Sequence, residues 1–381
     1  MACKNVFINT SVRRPFITKG RIGLEKVIRI MAPVDGDMLD EYDGIAVEEG
    51  LLTKVKILAP SDSRIRVNGI PARYSGEIFI ADIPLKSYEN RIEMVEENTG
   101  YRQSIKVFRL KKHTNRYRVS LDDTIWCLRD IAANADAYKS IFENPYLAFL
   151  KLVHDTYGTK IHINLYYQTD GFNLSQMPGK YKNEWKENAG WLRLSFHALQ
   201  NDPDKPYRNS DYGEVKKDCE QVMEQIRRFA GEELMAPVTT LHWGEATVNG
   251  CRALRDSGYK VLAGYFNVDN DLPPVSYYLD AEQRRHLSKR TLWKDNREDL
   301  IFSRISIVLD RHALEEIPVY LDAMETGGHK PEYVDLLMHE QYFYPFYEAY
   351  QADYRQKILT AAGWAADHGY SPAFLSECVF E

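Results

Sequence analysis

Hydrophobic and polar residues alternate in two different ways along the chain, and the change falls near residue 112. Before it, short apolar runs alternate with period two, as half-buried β-strands do, at 26–31, 53–58, 64–67, 77–80, 91–95 and 104–110. The pair Asn68-Gly69 separates two of them. Asn-Gly favours hairpin turns because both turn positions need a positive φ. The pattern predicts an all-β, immunoglobulin-like sandwich domain over residues 1–112.

After residue 112, apolar strands alternate with segments of helical period. We predict strands at 117–121, 160–166, 192–196, 238–242, 260–264, 305–309 and 334–338. We predict helices at 137–157, 212–229, 246–257, 314–324 and 349–368. This alternation indicates an α/β domain with a parallel sheet, most simply a closed or nearly closed (β/α) barrel over residues 113–381. A doubly wound open sheet stays open as an alternative, although no GxGxxG or GxxxxGK[ST] motif follows any strand.

Chemically reactive side chains collect at the ends of the predicted strands. Asp122 and Asp123 follow one strand, and His197, His242 and His339 follow three others. In a (β/α) barrel the chemistry sits at the carboxyl ends of the strands, which lie around one mouth. A lone histidine is usually a packing residue, but three at equivalent positions beside a carboxylate pair predict a shared site.

The adjacent carboxylates of Asp122 and Asp123 have two interpretations. Like charges in contact are costly unless a metal ion, another cation or a proton separates them. In one interpretation the two carboxylates have different roles: one binds a divalent metal and the other acts as a general base. The other is that Asp123 caps the following helix, since Asp is a preferred N-cap. One Asp with two His is a usual ligand set for catalytic zinc.

Composition narrows the range of partners. The net charge is −6 and no stretch is strongly basic, so we expect no nucleic-acid partner. No apolar run approaches about 18 residues and no apolar leader follows Met1, so we expect no membrane partner and a cytoplasmic location. Five scattered cysteines without a CxxC pair argue against a zinc ribbon and a disulfide framework. Twenty-five tyrosines favour a carbohydrate partner, because aromatic faces with polar tips suit sugar rings.

The segment SLDD at 120–123 resembles the T/S-F-D-D motif of polysaccharide deacetylases, the NodB-homology family, which has a distorted (β/α)7 barrel. The resemblance implies that Asp122 is the general base and Asp123 a metal ligand. The segment VDLLMH at 334–339 resembles the family's late L-x-H motif, so His339 is implied as the general acid. Residues 67–92 resemble the β-sandwich modules appended to many bacterial carbohydrate-active enzymes.

The family's H-[S/T]-x-x-H motif is matched only in part. The segment LSFH at 194–197 makes His197 resemble the first ligand of that motif, but Asn201 stands where the family has its second histidine. We expect His242 to complete the metal set, and the resemblance implies a divalent metal, with zinc the expected ion. Asp202 as the third ligand, or a degraded metal site, are the alternatives.

Further residues near the strand ends are candidates for substrate binding. Trp243 and Glu245 lie where the family's substrate-groove motif falls, without its usual arginine. Tyr342 is expected either to stack on a sugar or to pack under its loop. Glu340 is expected either to bind near the substrate and orient His339 or to be a solvated charge.

The resemblance implies a metal-dependent hydrolase that removes an N- or O-acetyl group from a sugar. One alternative is a metal-independent glycoside hydrolase, which needs two carboxyl groups flanking a groove, Asp122 with Glu340 or Glu245. Another is a barrel that binds carbohydrate without catalysis. Fold class alone does not distinguish these functions.

Overall fold

The computed structural model describes residues 27–266, 277–327 and 330–381, so Lys26 of the first predicted strand lies outside the described residues. These residues form a mixed α/β fold with 22 strands and eight α-helices. Among them, no helix has both the length and the apolar character needed to cross a membrane.

The strands precede and then alternate with the helices along the chain. The strands are β1 (Arg29–Ala32), β2 (Met38–Leu39), β3 (Gly44–Val47), β4 (Gly50–Leu58), β5 (Ile65–Val67), β6 (Ile70–Pro71), β7 (Arg73–Tyr74), β8 (Phe79–Leu85), β9 (Glu89–Glu96), β10 (Tyr101–Arg109), β11 (Arg116–Thr124), β12 (Ile161–Tyr166), β13 (Gln168–Thr169), β14 (Phe172–Asn173), β15 (Leu192–Ala198), β16 (Val238–Thr240), β17 (Val261–Gly264), β18 (Leu292–Asp295), β19 (Leu300–Arg304), β20 (Ile307–Val308), β21 (Tyr333–His339) and β22 (Ser371–Pro372). The helices are α1 (Trp126–Ala133), α2 (Pro145–Tyr157), α3 (Lys182–Glu187), α4 (Tyr212–Phe229), α5 (Val248–Asp256), α6 (Ala281–Leu287), α7 (Glu316–Thr326) and α8 (Tyr354–Asp367).

The first ten strands form two five-stranded sheets. One has the order β1-β4-β8-β7 with β3 beside β4, and the other has the order β2-β10-β9-β5-β6. In β4, Val55 and Ile57 are buried while Lys54 and Lys56 are exposed, as period-two alternation requires. One cluster of buried apolar side chains draws on both sheets. The immunoglobulin-like sandwich and the boundary at residue 112 stay predictions.

The remaining strands form a larger, mostly parallel arrangement. A six-stranded sheet has the order β15-β12-β11-β21-β20 with β22 beside β11, and a four-stranded sheet has the order β16-β17-β19-β18. In the part of the chain that the structure describes, only β18 of these two sheets pairs antiparallel. Each of the seven predicted strands overlaps an observed one. The helices α1, α3 and α6 and the strands β13, β14, β18, β19 and β22 were not predicted.

The two sheets do not join into one closed ladder among the described residues, so of the closed or nearly closed barrel that the sequence predicted, the closed form is not observed. Between β15 and β16, side chains replace most of the backbone pairing. Ser195 Oγ donates to the carbonyl of Val238 at 2.7 Å, and His197 Nδ1 lies 2.5 Å from the carbonyl of Thr240. Because β16 has only three residues, polar side chains satisfy the carbonyls that a longer ladder would pair.

The first two sheets pack against the amino-terminal ends of the later strands. Met38 and Phe108 share a buried cluster with Val238, Val261 and Ile301, which lie at or near the starts of β16, β17 and β19. This packing leaves the carboxyl ends of the parallel strands uncovered by the first sheets. The predicted strand-end residues lie at those carboxyl ends.

Candidate functional site

Asp122 and Asp123 lie near the end of β11, where its pairing becomes irregular. The register of β11 against β12 shifts between Leu121 and Thr124, and Asp123 adopts φ +60°. Residues other than glycine rarely adopt this left-handed conformation, and it costs on the order of 1–3 kcal/mol. The irregularity breaks the alternation of side chains, so both carboxylates can face the same end of the sheet.

Asp123 does not cap the helix that follows it. Helix α1 has Ile125 at its N-cap, without a capping side chain. The carboxylate of Glu340 serves the helix instead, accepting from the backbone N–H groups of Ile125, Trp126 and Cys127 at 2.7, 2.8 and 2.6 Å. The capping interpretation of Asp123 is therefore wrong, and its carboxylate is available for other partners.

Asp123, His197 and His242 form a tight buried cluster. Asp123 Oδ1 lies 2.9 Å from His197 Nε2 and 3.0 Å from His242 Nδ1. The two imidazole nitrogens are 3.1 Å apart. The structure thus brings together three residues from the carboxyl ends of different strands, which the sequence predicted as metal ligands.

The hydrogen bonds on the far side of each ring fix which nitrogen carries a lone pair. His197 Nδ1 faces the carbonyl of Thr240 at 2.5 Å, and His242 Nε2 faces the carbonyl of Asn201 at 3.1 Å. Carbonyls only accept, so these two nitrogens are the protonated ones. In the neutral rings, His197 Nε2 and His242 Nδ1 therefore point lone pairs at Asp123 Oδ1. Three converging lone pairs repel one another unless a metal ion, or protons on the two imidazoles, lie between them.

The charges in the cluster fit such a cation. Burial alone would raise the pKa of Asp123, but His197 and His242 hold it well below its usual range when the ring nitrogens that face it are protonated. The hydroxyl of Tyr166 donates to Asp123 Oδ1 at 2.5 Å. A carboxylate kept ionised beside two imidazoles matches the nitrogen and oxygen donors that zinc takes in catalytic sites.

Asn201 contributes to the cluster, although not as a ligand. Its backbone carbonyl orients His242, and its side-chain oxygen lies 3.3 Å from the hydroxyl oxygen of Tyr166. His242 occupies the third position of the cluster, and Asp202 is not one of its members. Asn201 is therefore not a member of the cluster, and the second histidine of the cluster, His242, comes from a different strand end.

Asp122 lies beside the cluster with the properties of a base. Its side chain is buried, and its Oδ1 accepts from Asn164 Nδ2 at 2.7 Å. Burial raises the pKa of Asp122, while the positive charges of His197 and His339 oppose that rise. A carboxylate with a raised pKa is a stronger base than an exposed one.

His339 lies at the end of β21 with an acidic partner. Its Nδ1 is 2.7 Å from Asp310 Oδ2, and the same oxygen accepts from the His339 backbone N–H at 3.1 Å. Burial would lower the pKa of His339, but Asp310, aided by Asp123 and Asp122, raises it to about 10. Because Nδ1 faces Asp310, Nε2 carries the proton that His339 can transfer.

These groups line one cavity of about 330 Å³. Trp243, which is 38% exposed, and Tyr342 also line it. A neighbouring polar groove of about 680 Å³ shares Asp123 and Asn201 with the cavity and has Trp126 in its wall. The predicted substrate-binding residues Trp243 and Tyr342 therefore lie beside the cluster.

Glu340, also predicted to bind substrate, is placed differently. It is fully buried, and beyond the three N–H groups of α1 it accepts from the Tyr344 hydroxyl at 2.9 Å. The partner of His339 is Asp310 and not Glu340. We therefore leave Glu340 out of the substrate-binding set.

Two residues of the site, Asn164 and Asp310, were missed by sequence reasoning, and Tyr166, which ends the predicted strand 160–166, was given no role. His162, Asn164 and Tyr166 alternate along β12 with Ile161, Ile163 and Leu165, so a row of polar ends on one face of a buried strand was a usable pattern. Asp310 follows β20 by two residues, and the strand-end rule would have found it.

No protein-family model matches the chain, and no curated protein matches it significantly. Solved structures similar to it include a 4-alpha-glucanotransferase from Thermococcus litoralis, at 11% identity and TM-score 0.45 over 70% of this chain and 40% of that one. A mutant CE4 family pseudoenzyme matches at 9% identity and TM-score 0.34 over 81% of this chain and 90% of that one. A putative polysaccharide deacetylase involved in O-antigen biosynthesis from Bordetella bronchiseptica matches at 7% identity and TM-score 0.35 over 66% and 91%.

The chain spans 40% of the length of the glucanotransferase. All three TM-scores are below 0.5, so the function proposed next rests on the geometry of the site.

Proposed function

We propose that this protein is a metal-dependent hydrolase that removes an N- or O-acetyl group from a carbohydrate. The observation that carries the proposal is the convergence of one carboxylate oxygen and two imidazole nitrogens, from Asp123, His197 and His242, in a cavity that Asp122 and His339 also line. Asp123, His197 and His242 would hold the ion, with zinc the best fit to two nitrogen donors and one oxygen donor. Zinc supplies Lewis acidity, which polarises an acyl oxygen and lowers the pKa of water.

Asp122 and His339 divide the proton transfers. Asp122 accepts the proton of the attacking water at Oδ2, since Oδ1 already accepts from Asn164. Water adds to the acyl carbon, and the bond from that carbon to the sugar nitrogen or oxygen breaks. His339 donates its Nε2 proton to the leaving atom, because its raised pKa keeps it protonated at neutral pH.

The cavity supports a carbohydrate as the substrate. Trp243 and Tyr342 offer aromatic faces beside the cluster, and the adjoining groove is lined by the amides of Gln168, Asn173 and Gln200 among others. Aromatic faces with hydrogen-bonding edges suit sugar rings.

The division of the chain also stays part of the proposal. We propose a β-sandwich unit at residues 1–112 and the hydrolytic unit at residues 113–381. The separate buried cluster shared by the first two sheets supports this division.

The metal-independent glycoside hydrolase is less well supported. Its second carboxyl group would be Glu340, which is committed to the start of α1, or Glu245. Glu245 pairs with Lys205 at 2.9 Å and Arg208 at 3.2 Å. Neither acid is poised to donate a proton across from Asp122.

A direct test is acetate release from acetylated chitotetraose and acetylated xylan by the zinc-loaded protein, with bound zinc measured by mass spectrometry. We expect Asp123→Asn to lose bound zinc and acetate release together, and Asp122→Asn to keep zinc while losing about 10²–10⁴-fold in rate. His154→Gln is the control, because His154 is a partly buried histidine on α2 that bonds the Thr159 carbonyl.

Two outcomes would count against the proposal. Reducing sugar released without acetate would favour the glycoside hydrolase. Sugar binding with no turnover on any acetylated substrate, unaffected by Asp122→Asn, would favour the non-catalytic barrel.

A further inference from the structure

A further cavity, of about 750 Å³, lies beside the polar groove of the candidate active site. We call it the aromatic pocket, because the rings that line it are those of Trp126, Phe343, Tyr344, Phe346, Tyr350 and Tyr354. Trp126 is in the wall of both the groove and the pocket, so the two cavities meet at that ring. The metal ligands and the proton-transfer residues do not line the pocket. The proposed chemistry therefore does not account for it.

A row of aromatic rings joins the aromatic pocket to the cavity that holds the metal cluster. Tyr342 lines that cavity, and its ring centroid lies 5.6 Å from the centroid of Tyr347. The ring of Tyr347 lies 5.6 Å from Trp126, and Trp126 lies 5.1 Å from Phe346. Aromatic side chains with polar groups between them suit successive sugar rings. A carbohydrate chain with its acetyl group at the metal cluster therefore has a path into the aromatic pocket.

Part of the aromatic surface is open to a ligand. Phe346 is 66% exposed and Tyr350 is 42% exposed, and both line the pocket. Exposed large apolar side chains grouped around a cavity are typical of binding sites. The pocket therefore offers ring faces that the fold itself does not cover.

Two guanidinium groups add positive charge to the same pocket. The guanidinium of Arg355 lies 5.0 Å from the ring centroid of Phe343, and that of Arg129 lies 5.9 Å from Trp126. Neither group forms an ion pair within the part of the chain that the structure describes. Arg129 Nη1 contacts the carbonyl of Asp170, in the wall of the groove, at 3.5 Å. A guanidinium stacked on an aromatic ring keeps its planar set of donors available for a carboxylate.

Asp130 also lines the pocket, but its carboxylate has partners of its own. It accepts hydrogen bonds from the side chains of Asn144, Asn134 and Tyr138 at 2.7, 3.0 and 3.1 Å. The lining residues therefore bring two guanidinium groups and one carboxylate that is already hydrogen-bonded. This balance favours a ligand with a negative charge.

We propose that the aromatic pocket binds a uronic acid, a sugar residue that carries a carboxylate, in the same chain whose acetyl group reaches the metal cluster. Phe346 and Tyr350 pack on the sugar ring, and Arg355 pairs with its carboxylate. Continuity with the groove through Trp126 favours a residue of the substrate chain over a separate partner. The inference rests on the proposed function and narrows its substrate to an acidic carbohydrate.

The test measures dissociation constants by calorimetry in the zinc-loaded Asp122→Asn protein, which should bind substrate without turnover. One tetrasaccharide alternates N-acetylglucosamine with glucuronic acid, and its neutral counterpart has each carboxylate reduced to an alcohol. We expect the acidic tetrasaccharide to bind about 10–100-fold more tightly, as expected for hydrogen bonds between charged groups.

Substitutions in the same protein assign this preference to the pocket. Adding Arg355→Gln should remove most of the preference, and adding Phe346→Ala should weaken the binding of both tetrasaccharides. Arg355 and Phe346 are exposed, so neither change removes a core contact. Adding Arg73→Gln is the control, because Arg73 is an exposed arginine on β7 that lines neither cavity.

Three results would overturn the proposal. They are equal affinity for the two tetrasaccharides, a preference that survives Arg355→Gln together with Arg129→Gln, and a tetraglutamate peptide that binds as tightly as the acidic tetrasaccharide. The last would indicate a site for acidic peptides. Calorimetry does not depend on turnover, so absent acetate release with an intact preference would count against the proposed function alone.

Discussion

Replacing Asp310 by asparagine tests whether this carboxylate keeps His339 protonated. The amide side chain would retain the size and one acceptor oxygen of the carboxylate but not its charge. In the unaltered protein, Asp310 Oδ2 accepts both from the ring and from the backbone of His339, at 2.7 and 3.1 Å. Burial lowers the pKa of His339, and the charge of Asp310 opposes that effect. Without this charge, the pKa should fall.

The size of the effect follows from the surroundings of His339. A rise in its pKa from 6.5 to about 10 corresponds to about 5 kcal/mol of preference for the charged ring, at about 1.4 kcal/mol per pKa unit. An opposite charge in contact accounts for about 1–3 pKa units. Asp122 and Asp123 supply the remainder. We expect Asp310→Asn to lower the pKa of His339 by about 2–3 units.

The same pKa predicts how stability depends on pH. The pKa of His339 is higher in the folded protein than in the unfolded chain, so the ring stabilises the fold below pH 6.5. That contribution is lost as the pH rises from 6.5 to about 10. In Asp310→Asn the loss should end at a lower pH.

The measurement is an NMR titration of the His339 imidazole in protein freed of zinc, together with the pH profile of acetate release in the zinc-loaded protein. The alkaline limb of that profile should move to lower pH in Asp310→Asn. The control is Asp322→Asn, because Asp322 faces His368 at 3.6 Å on the surface. An unchanged His339 titration in Asp310→Asn would refute the assigned role of Asp310.

Three further predictions concern other parts of the site and its support. Tyr166→Phe removes the hydroxyl that donates to Asp123. We expect zinc binding, measured by competition with a chelator, to weaken about 10–100-fold. Unchanged affinity would contradict the role given to Tyr166. Glu340→Gln replaces one of the two oxygens that accept hydrogen bonds from the N–H groups of α1. The free energy of unfolding, measured in urea, should fall by about 2–3 kcal/mol. No change would show that α1 does not depend on this carboxylate. Asp335→Ala leaves the buried guanidinium of Arg118, whose Nη2 lies 2.7 Å from Asp335, without its carboxylate partner. The free energy of unfolding should fall by about 3–5 kcal/mol, and the double variant Arg118→Met with Asp335→Leu should recover most of that loss. Equal losses in both proteins would contradict the reasoning.

Much of the secondary structure of the later residues could be predicted from the sequence. The helix α4 begins and ends at the predicted residues, because Asp211 caps it and apolar residues recur with helical period along one face. Helix α1 was missed for a physical reason. Its cap is the carboxylate of Glu340, more than 200 residues away, so no local pattern marks its start.

The closure of the barrel could not be predicted from the strands. Each strand has the expected apolar character, but closure depends on backbone pairing between neighbours. At the seam between β15 and β16, Ser195 and His197 bond carbonyls with their side chains in place of a ladder. The same bond that bridges the seam orients His197 toward Asp123.

The sequence by itself determined which residue types stand at the strand ends, because the alternation of apolar strands and helices is a local pattern. From that pattern alone Asp122, Asp123, His197, His242 and His339 were predicted to share a site, and the structure brings them to one cavity.

Only the tertiary structure decided how each group is hydrogen-bonded and charged there. The lone pair of His242 is set by the carbonyl of Asn201, and the proton on His339 by Asp310. The same packing places the carboxylate of Glu340 at the amino-terminal end of α1. Protonation depends on hydrogen bonds and charges a few ångströms away, and those neighbours come from segments whose approach no local pattern records.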